Sequence, residues 1–207
     1  YKAIYGADQE PDEDVAPNSD QLACLESLFK GNRIPYVDFS VFGPHASRTD
    51  RIKFFKGRVQ NPDGSWVMIE IRGPPNFETW MQCWSVFETA CIMIKVLDLG
   101  TLKSYAARIS KLHKEYGEEF WANLYQLDVR ARGEHLGKIR LKQLRAHKRA
   151  VLNGHVSTYD ESRPWQHAYD QLLHPSENHF WDKEFRHPVL NMKIDNRIRQ
   201  VDAFLGG

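Results

Sequence analysis

The sequence predicts an α+β protein that is mostly helical: a helical bundle around a buried central helix, with a small three-stranded antiparallel sheet near the N-terminus. Three observations carry this prediction. Residues 74–97, PPNFETWMQCWSVFETACIMIKVL, form the longest apolar run of the chain. At helical spacing Phe77, Trp80, Trp84, Phe87, Cys91 and Ile94 fall on one face, and Cys83, Val86, Ala90, Met93 and Leu97 on another; a helix apolar on two faces is a buried one. Upstream, residues 36–72 alternate and turn in the manner of strands. Downstream, apolar side chains recur at three- and four-residue steps to residue 205.

Taken in order, residues 1–20 combine acids, prolines and few large apolar groups, the composition of a leader that is disordered or draped over a surface. Residues 21–30 predict a short helix with Asp20 as N-cap, closed at Gly31-Asn32. Tyr36 to Phe42 alternates, with Val37, Phe39 and Val41 on one side, and predicts a first strand that Gly43-Pro44 stops. Residues 51–60 and 65–72 flank Asn61-Pro62-Asp63-Gly64. Proline there pre-sets φ and glycine accepts a positive one, which is a hairpin signal. Phe55, Val59, Val67, Ile69 and Ile71 supply its core face.

The central helix has its start written before it: Pro74-Pro75 break the chain, Asn76 offers a capping oxygen, and Glu78 suits the positive end of the helix dipole. Its charged and polar interruptions, Glu78, Gln82, Glu88 and Lys95, leave no room for the ~20 apolar residues of a membrane span. Leu102, Tyr105, Ile109, Leu112 and Tyr116 mark a second helix closed by Gly117. Phe120, Trp121, Leu124 and Leu127 open a third, interrupted near Gly133 or Gly137 and running to about residue 150. Pro164 starts a helix through Leu173, Ser176 caps another through Phe185, and Ile194, Ile198, Val201 and Leu205 describe a last one beyond Pro188. The organisation read from this is an acidic leader (1–20), a main α+β domain (21–155) and a helical C-terminal appendage packed on it (156–207).

The net charge of +1 conceals an uneven distribution. Residues 1–32 hold seven acids and two lysines, hence −5; residues 129–155 hold eight Lys/Arg and Glu134 alone, hence +7. That asymmetry points to a local interaction surface. Of three cysteines, Cys83 and Cys91 lie eight residues apart in one helix, roughly 12 Å, too far for a disulfide. With no signal or transit segment read at the start, an intracellular, reducing compartment is expected, cytoplasmic or nuclear.

The most informative polar feature is the third helix. Lys138, Lys142, Arg145 and Arg149 step by four, three and four, with Arg130, Arg132, Arg140 and Lys148 nearby. Like charges aligned along one stripe repel by a few tenths of a kcal/mol per pair. A polyanion would offset that by releasing its condensed counterions; a solvated face, or pairing with an acidic partner or the leader, are the other readings. The candidate nucleic-acid-binding residues are therefore Arg130, Arg132, Lys138, Lys142, Arg145, Lys148 and Arg149, with RNA or DNA as partner. His174, His179 and His187, with Glu177 and Asp182 between them, match no standard zinc spacing. No nucleophile elbow, phosphate loop, dinucleotide fingerprint or HExxH motif occurs, so neither catalytic residues nor a cofactor are assigned. Trp165, Phe180 and Trp181 are candidates for a self-association patch.

Four blocks in fixed order, IPYVDFSVFGPHASRTDRIKFF, PDGSWVMIEIRGPPNFETWMQCWSVFETACIMI, YGEEFWANLYQLDVRARGEHLGKIR and NHFWDKEFRHPVLNMK, resemble a repetitive, retroelement-associated domain of proteins of dinoflagellate algae, over residues 34–193. The resemblance implies a capsid-type (Gag-like) or accessory segment, in which a Cys/His knuckle further along would bind nucleic acid. No such knuckle occurs within these 207 residues, so nucleic-acid binding is not carried over from it, and it offers no catalytic residues. Two functions emerge as expectations: a non-enzymatic retroelement-type assembly domain contacting nucleic acid through the basic helix, or a structural subunit of a larger protein complex with the acidic leader, residues 7–20, laid over its partner.

Overall fold

The computed structural model describes residues 1–6, 9–31, 33–44 and 52–205. The protein is mostly helical with one antiparallel hairpin. The leader carries a single turn, α1 (Lys2–Tyr5), whose flanking Tyr1 packs against the core. α2 (Ser19–Lys30) begins one turn earlier than its apolar residues require. The cap is Asn18, not Asp20: its side chain accepts from Gln21 N while Gln21 Oε1 accepts from Asn18 N, at 2.8 and 2.9 Å, a reciprocal capping box.

The predicted first strand does not form. Asp38 Oδ1 accepts from Ser40 N (2.8 Å), and the Asp38 carbonyl accepts from Val41 N and Phe42 N, so the side chain starts a turn where alternation suggested extension. Val37, Phe39 and Phe42 are buried while Val41 is exposed. The sheet accordingly has two strands, β1 (Phe54–Gln60) and β2 (Trp66–Arg72), joined through the expected Asn-Pro-Asp-Gly turn in the register Val59↔Val67. Val59 and Ile71 face the body; Val67 and Ile69, expected in the core face, are exposed. Residue 51, the expected start of the first hairpin strand, lies outside the described residues.

α3 (Phe77–Met93) is capped by Asn76, whose side chain accepts from Thr79 N at 2.8 Å. Trp80, Cys83, Trp84, Val86, Phe87, Ala90 and Cys91 are each at most 1% exposed. Trp84 stacks between Trp80 (5.2 Å between centroids) and Tyr105 (4.8 Å), the latter on α4 (Leu99–Tyr116), which ends at Gly117 with φ 92°. Among the described residues no helix is long and apolar enough to cross a membrane.

α5 (Trp121–Arg130) runs through a π-turn (Ala131–His135) into α6 (Leu136–Leu152). Gly137 stands where a Cβ would lie 2.5 Å from the Ile34 side chain, so the close approach of the 33–44 segment requires glycine. α7 (Pro164–Leu173) starts on its proline as predicted. α8 (Asn178–Trp181) follows a 3₁₀ turn, without a Ser176 cap, and passes through a second π-turn (Asp182–Arg186) into α9 (His187–Leu205). Pro188, expected to end a helix, instead sits at the second residue of α9. The wider turn before it accommodates a residue that donates no N–H and crowds the carbonyl four residues back. Trp165, Phe180 and Trp181 are buried at 2, 8 and 2% exposure, in one cluster with the side chains of α3 to α6. They are core, which corrects their reading as a self-association patch.

Candidate nucleic-acid interface

The basic residues of α5 and α6 divide sharply by helix phase. Arg132, predicted to face a ligand, is 2% exposed and belongs to the core. Its Nε and Nη2 donate to the two oxygens of Asp128 at 2.9 and 2.6 Å, and Nη1 donates to the Val37 carbonyl at 2.9 Å. The guanidinium lies 4.0 Å from the Phe39 ring centre. Asp128 also accepts from Trp80 Nε1 (3.0 Å) and Tyr105 OH (2.8 Å), so the carboxylate ties α3, α4, α5 and the 33–44 segment together. Burial pushes the Arg132 pKa down, but the charge and hydrogen bonds of Asp128 outweigh it and raise it above the ordinary arginine value. Burial, followed by Asp128, holds the Tyr105 hydroxyl protonated well above its usual range. Arg130 is exposed but already salt-bridged to Glu184. Arg140 lies over the Trp165 ring at 4.8 Å, on the side of α6 that meets α7.

The remaining candidates lie on the outer side of α6, with Lys148 apart from the other four. Lys138, Lys142, Arg145, Lys148 and Arg149 are all exposed. Lys138, Lys142, Arg145 and Arg149 line one shallow surface groove along α6, flanked by the exposed apolar side chains Leu141 and Ala146. From Lys138 to Arg149 the stripe rises about 16 Å, at 1.5 Å per residue. α6 contains no Asp or Glu, and among the described residues none of these five cations takes part in an ion pair. In the leader, Glu10, Asp12, Glu13 and Asp14 are exposed and take part in no ion pair among the described residues. Ala7 and Asp8, the start of the segment expected to drape over a partner, lie outside the described residues.

The opposite side of α6 explains why the stripe faces out. Leu136 and Ile139 are buried, Gln143 Nε2 donates to the His167 carbonyl (3.1 Å), and His147 meets the loop before α7. That loop holds a constellation with no local signature in the sequence: Ser157 Oγ is 2.7 Å from His147 Nδ1, and Glu161 Oε1 is 3.1 Å from His147 Nε2. The order is that of nucleophile, base and acid, from positions ten and fourteen residues apart. Ser157 Oγ also accepts from Tyr159 N (3.3 Å), and Asp160 N donates to His167 Nε2 (2.9 Å). The bonds to His147 and His167 fasten the loop to α6 and α7, and the Tyr159 bond closes a turn within it, which gives the trio a structural use.

The three tail histidines are not gathered. His174 and His179 bond around Ser176, His187 is exposed, and among the described residues no three His, Cys, Asp or Glu converge as metal ligands. No family model, curated protein or solved structure matches the chain, so the reading of this face rests on its charge and geometry.

Proposed function

We propose that this chain is a non-enzymatic domain that associates with RNA or DNA through the outward face of α6, as the assembly domain suggested by its retroelement resemblance would. One observation carries the reading: Lys138, Lys142, Arg145 and Arg149 share one exposed groove, with no ion-pair partner among the described residues. Four aligned cations repel one another, and each phosphate they neutralise releases condensed counterions. The groove follows a helix face and not a closed cavity, which suits a backbone-tracking, sequence-tolerant contact.

The test is anisotropy of a labelled single strand and a labelled duplex against the protein over a range of salt concentrations. The variant with all four residues changed to Gln should bind more weakly and flatten the slope of log K against log salt by about 3 for the single strand and about 4 for the duplex. Unchanged affinity and slope remove the proposal. A second reading, a subunit of a larger protein complex, is favoured by the exposed apolar side chains beside the cations, Leu141 and Ala146, which an acidic amphipathic helix would cover as well as the cations. In that case the protein purifies free of nucleic acid, binds neither probe, and the same four substitutions release a protein partner.

A further inference from the structure

α9 carries an apolar stripe that nothing among the described residues covers. Val189 and Met192 seat its first turns, Lys193 Nζ lies over the Tyr116 and Phe120 rings at 5.2 and 5.1 Å, and Asn196 Oδ1 accepts from Arg58 at 3.4 Å. From Arg197 to Leu205 every residue is exposed. On the side away from those anchors lie Leu190, Ile194, Ile198, Val201 and Leu205, between 47 and 76% exposed, with Phe204 at 86% beside them. Free-standing turns of helix are marginal in water, and most helices gain their stability from packing an apolar face.

The spacing and the flanking charges together say what would cover this stripe. Its steps are four, four, three and four. The eleven-residue advance from Leu190 to Val201 is an ~3.67-residue period, which keeps the seam on one side of a nearly straight helix. At about 100° per residue, Asp195 and Asp202 fall on one flank of the stripe and Arg197 on the other. Two such helices side by side, parallel and in register, bring the acidic flank of each against the basic flank of the other, with Arg197 of one copy opposite Asp202 of the second. Antiparallel pairing sets aspartate against aspartate and arginine against arginine. Flanking charges of this kind choose partner and orientation in paired helices.

We propose that a second copy of this chain covers the stripe, the two α9 helices pairing in parallel through Leu190, Ile194, Ile198, Val201 and Leu205. The surface lies on a different helix from the basic groove, so the proposal stands whatever the nucleic-acid measurements give.

Sedimentation equilibrium of the full chain across micromolar concentrations tests it. A monomer–dimer equilibrium is expected, and Ile194→Asp with Ile198→Asp should raise its dissociation constant at least tenfold, with the circular dichroism and thermal midpoint of the body unchanged because both positions face solvent. Arg197→Asp alone and Asp202→Arg alone should each weaken the dimer severalfold. An equimolar mixture of those two variants restores it, since the mixed dimer has both pairs complementary. A chain monomeric throughout overturns the proposal, including one whose stripe instead binds lipid vesicles or another protein. So does a dimer indifferent to the Ile194/Ile198 change, or charge variants whose mixture does not recover.

Discussion

Replacing Asp128 by alanine removes the acceptor of four hydrogen bonds and leaves the buried Arg132 guanidinium with the Val37 carbonyl and the Tyr36 and Phe39 rings. An uncompensated buried charge costs about 3–5 kcal/mol, and each of the orphaned donors, Trp80 Nε1 and Tyr105 OH, about 1 kcal/mol or more. Because these losses share one cavity and do not add, a destabilisation of about 4–6 kcal/mol is expected, a large part of the ~5–15 kcal/mol that holds a domain together. For a chain of this size that is roughly 10–20 °C in Tm. Urea unfolding followed by tryptophan fluorescence measures it directly, Trp80 being at the site. The pair Asp128→Leu with Arg132→Met is the decisive arm: with both charges gone, the double variant should be more stable than Asp128→Ala by at least about 2 kcal/mol. A cost below about 1 kcal/mol for Asp128→Ala, or a double variant no better than either single one, refutes the view that this ion pair is a closed, mutually dependent unit.

Four other outcomes follow from the same structure. At Gly73 an added Cβ would stand 2.1 Å from the Tyr125 ring, so Gly73→Ala should cost about 2–3 kcal/mol by overpacking, whereas Gly64→Ala on the open hairpin turn, strained only by its φ of 88°, should cost about 1 kcal/mol. In the native protein a thiol reagent should modify exposed Cys24 rapidly and reach Cys83 and Cys91 only on unfolding, with all three reacting at once if the core is loose. Burial pushes Cys83 up to about 11 from an unfolded value of 9.0. A raised acid binds its proton more tightly when folded, so the contribution of Cys83 is constant below pH 9 and falls by about 2 kcal/mol as pH rises to 11; Cys83→Ala should make the alkaline fall shallower by that amount, the rest coming from Cys91, Tyr105, Tyr125 and Tyr169, whose pKa values burial also raises. Ser157→Ala should lower stability by about 1 kcal/mol and leave any turnover of an activated ester at background; turnover lost with the hydroxyl would make the trio catalytic.

Much of the fold is legible from local chemistry. The Asn-Pro-Asp-Gly turn, the Asn76 cap, the Gly117 stop and the Pro164 start each depend on one or two residues whose backbone preferences decide the outcome. Pattern reading fails where a side chain acts at a distance or against its own periodicity. Alternation at 36–42 is real for Val37 and Phe39, but Asp38 bends the chain and Arg132, 95 positions away, claims the Val37 carbonyl. Counting charge without phase misplaces Arg132. Its signal is Asp128 four residues earlier, on the apolar side of α5 between Leu124 and Ala131, where an unpaired carboxylate is untenable. The Ser157, His147 and Glu161 contacts have no signal, since their spacing is set by the loop.

Phase also decides whether α6 has a cationic face at all. Along α5 the buried side is centred on Asp128, with Leu124, Ala131 and Arg132 beside it. Continued at 3.6 residues per turn, that side would reach His135, Ile139, Lys142, Ala146 and Arg149, burying two of the groove's cations. The π-turn at Ala131–His135 takes up one extra residue. It rotates α6 about its axis by about 100°, so that Leu136, Gln143 and His147 turn inward, Ile139 stays buried, and Lys142 and Arg149 turn outward. Deleting the exposed Glu134 should restore uninterrupted α-helix and return the cations to the inner side. Either α6 detaches from α7 or two lysine and arginine heads are driven against the body, and both routes cost several kcal/mol. The expected readout is a lower thermal midpoint with amide protection lost in α6 and α7 first, while the α3–α4 contact stays protected. Wild-type stability together with an unchanged salt-dependent affinity for nucleic acid would show that the turn does not set the phase of the groove.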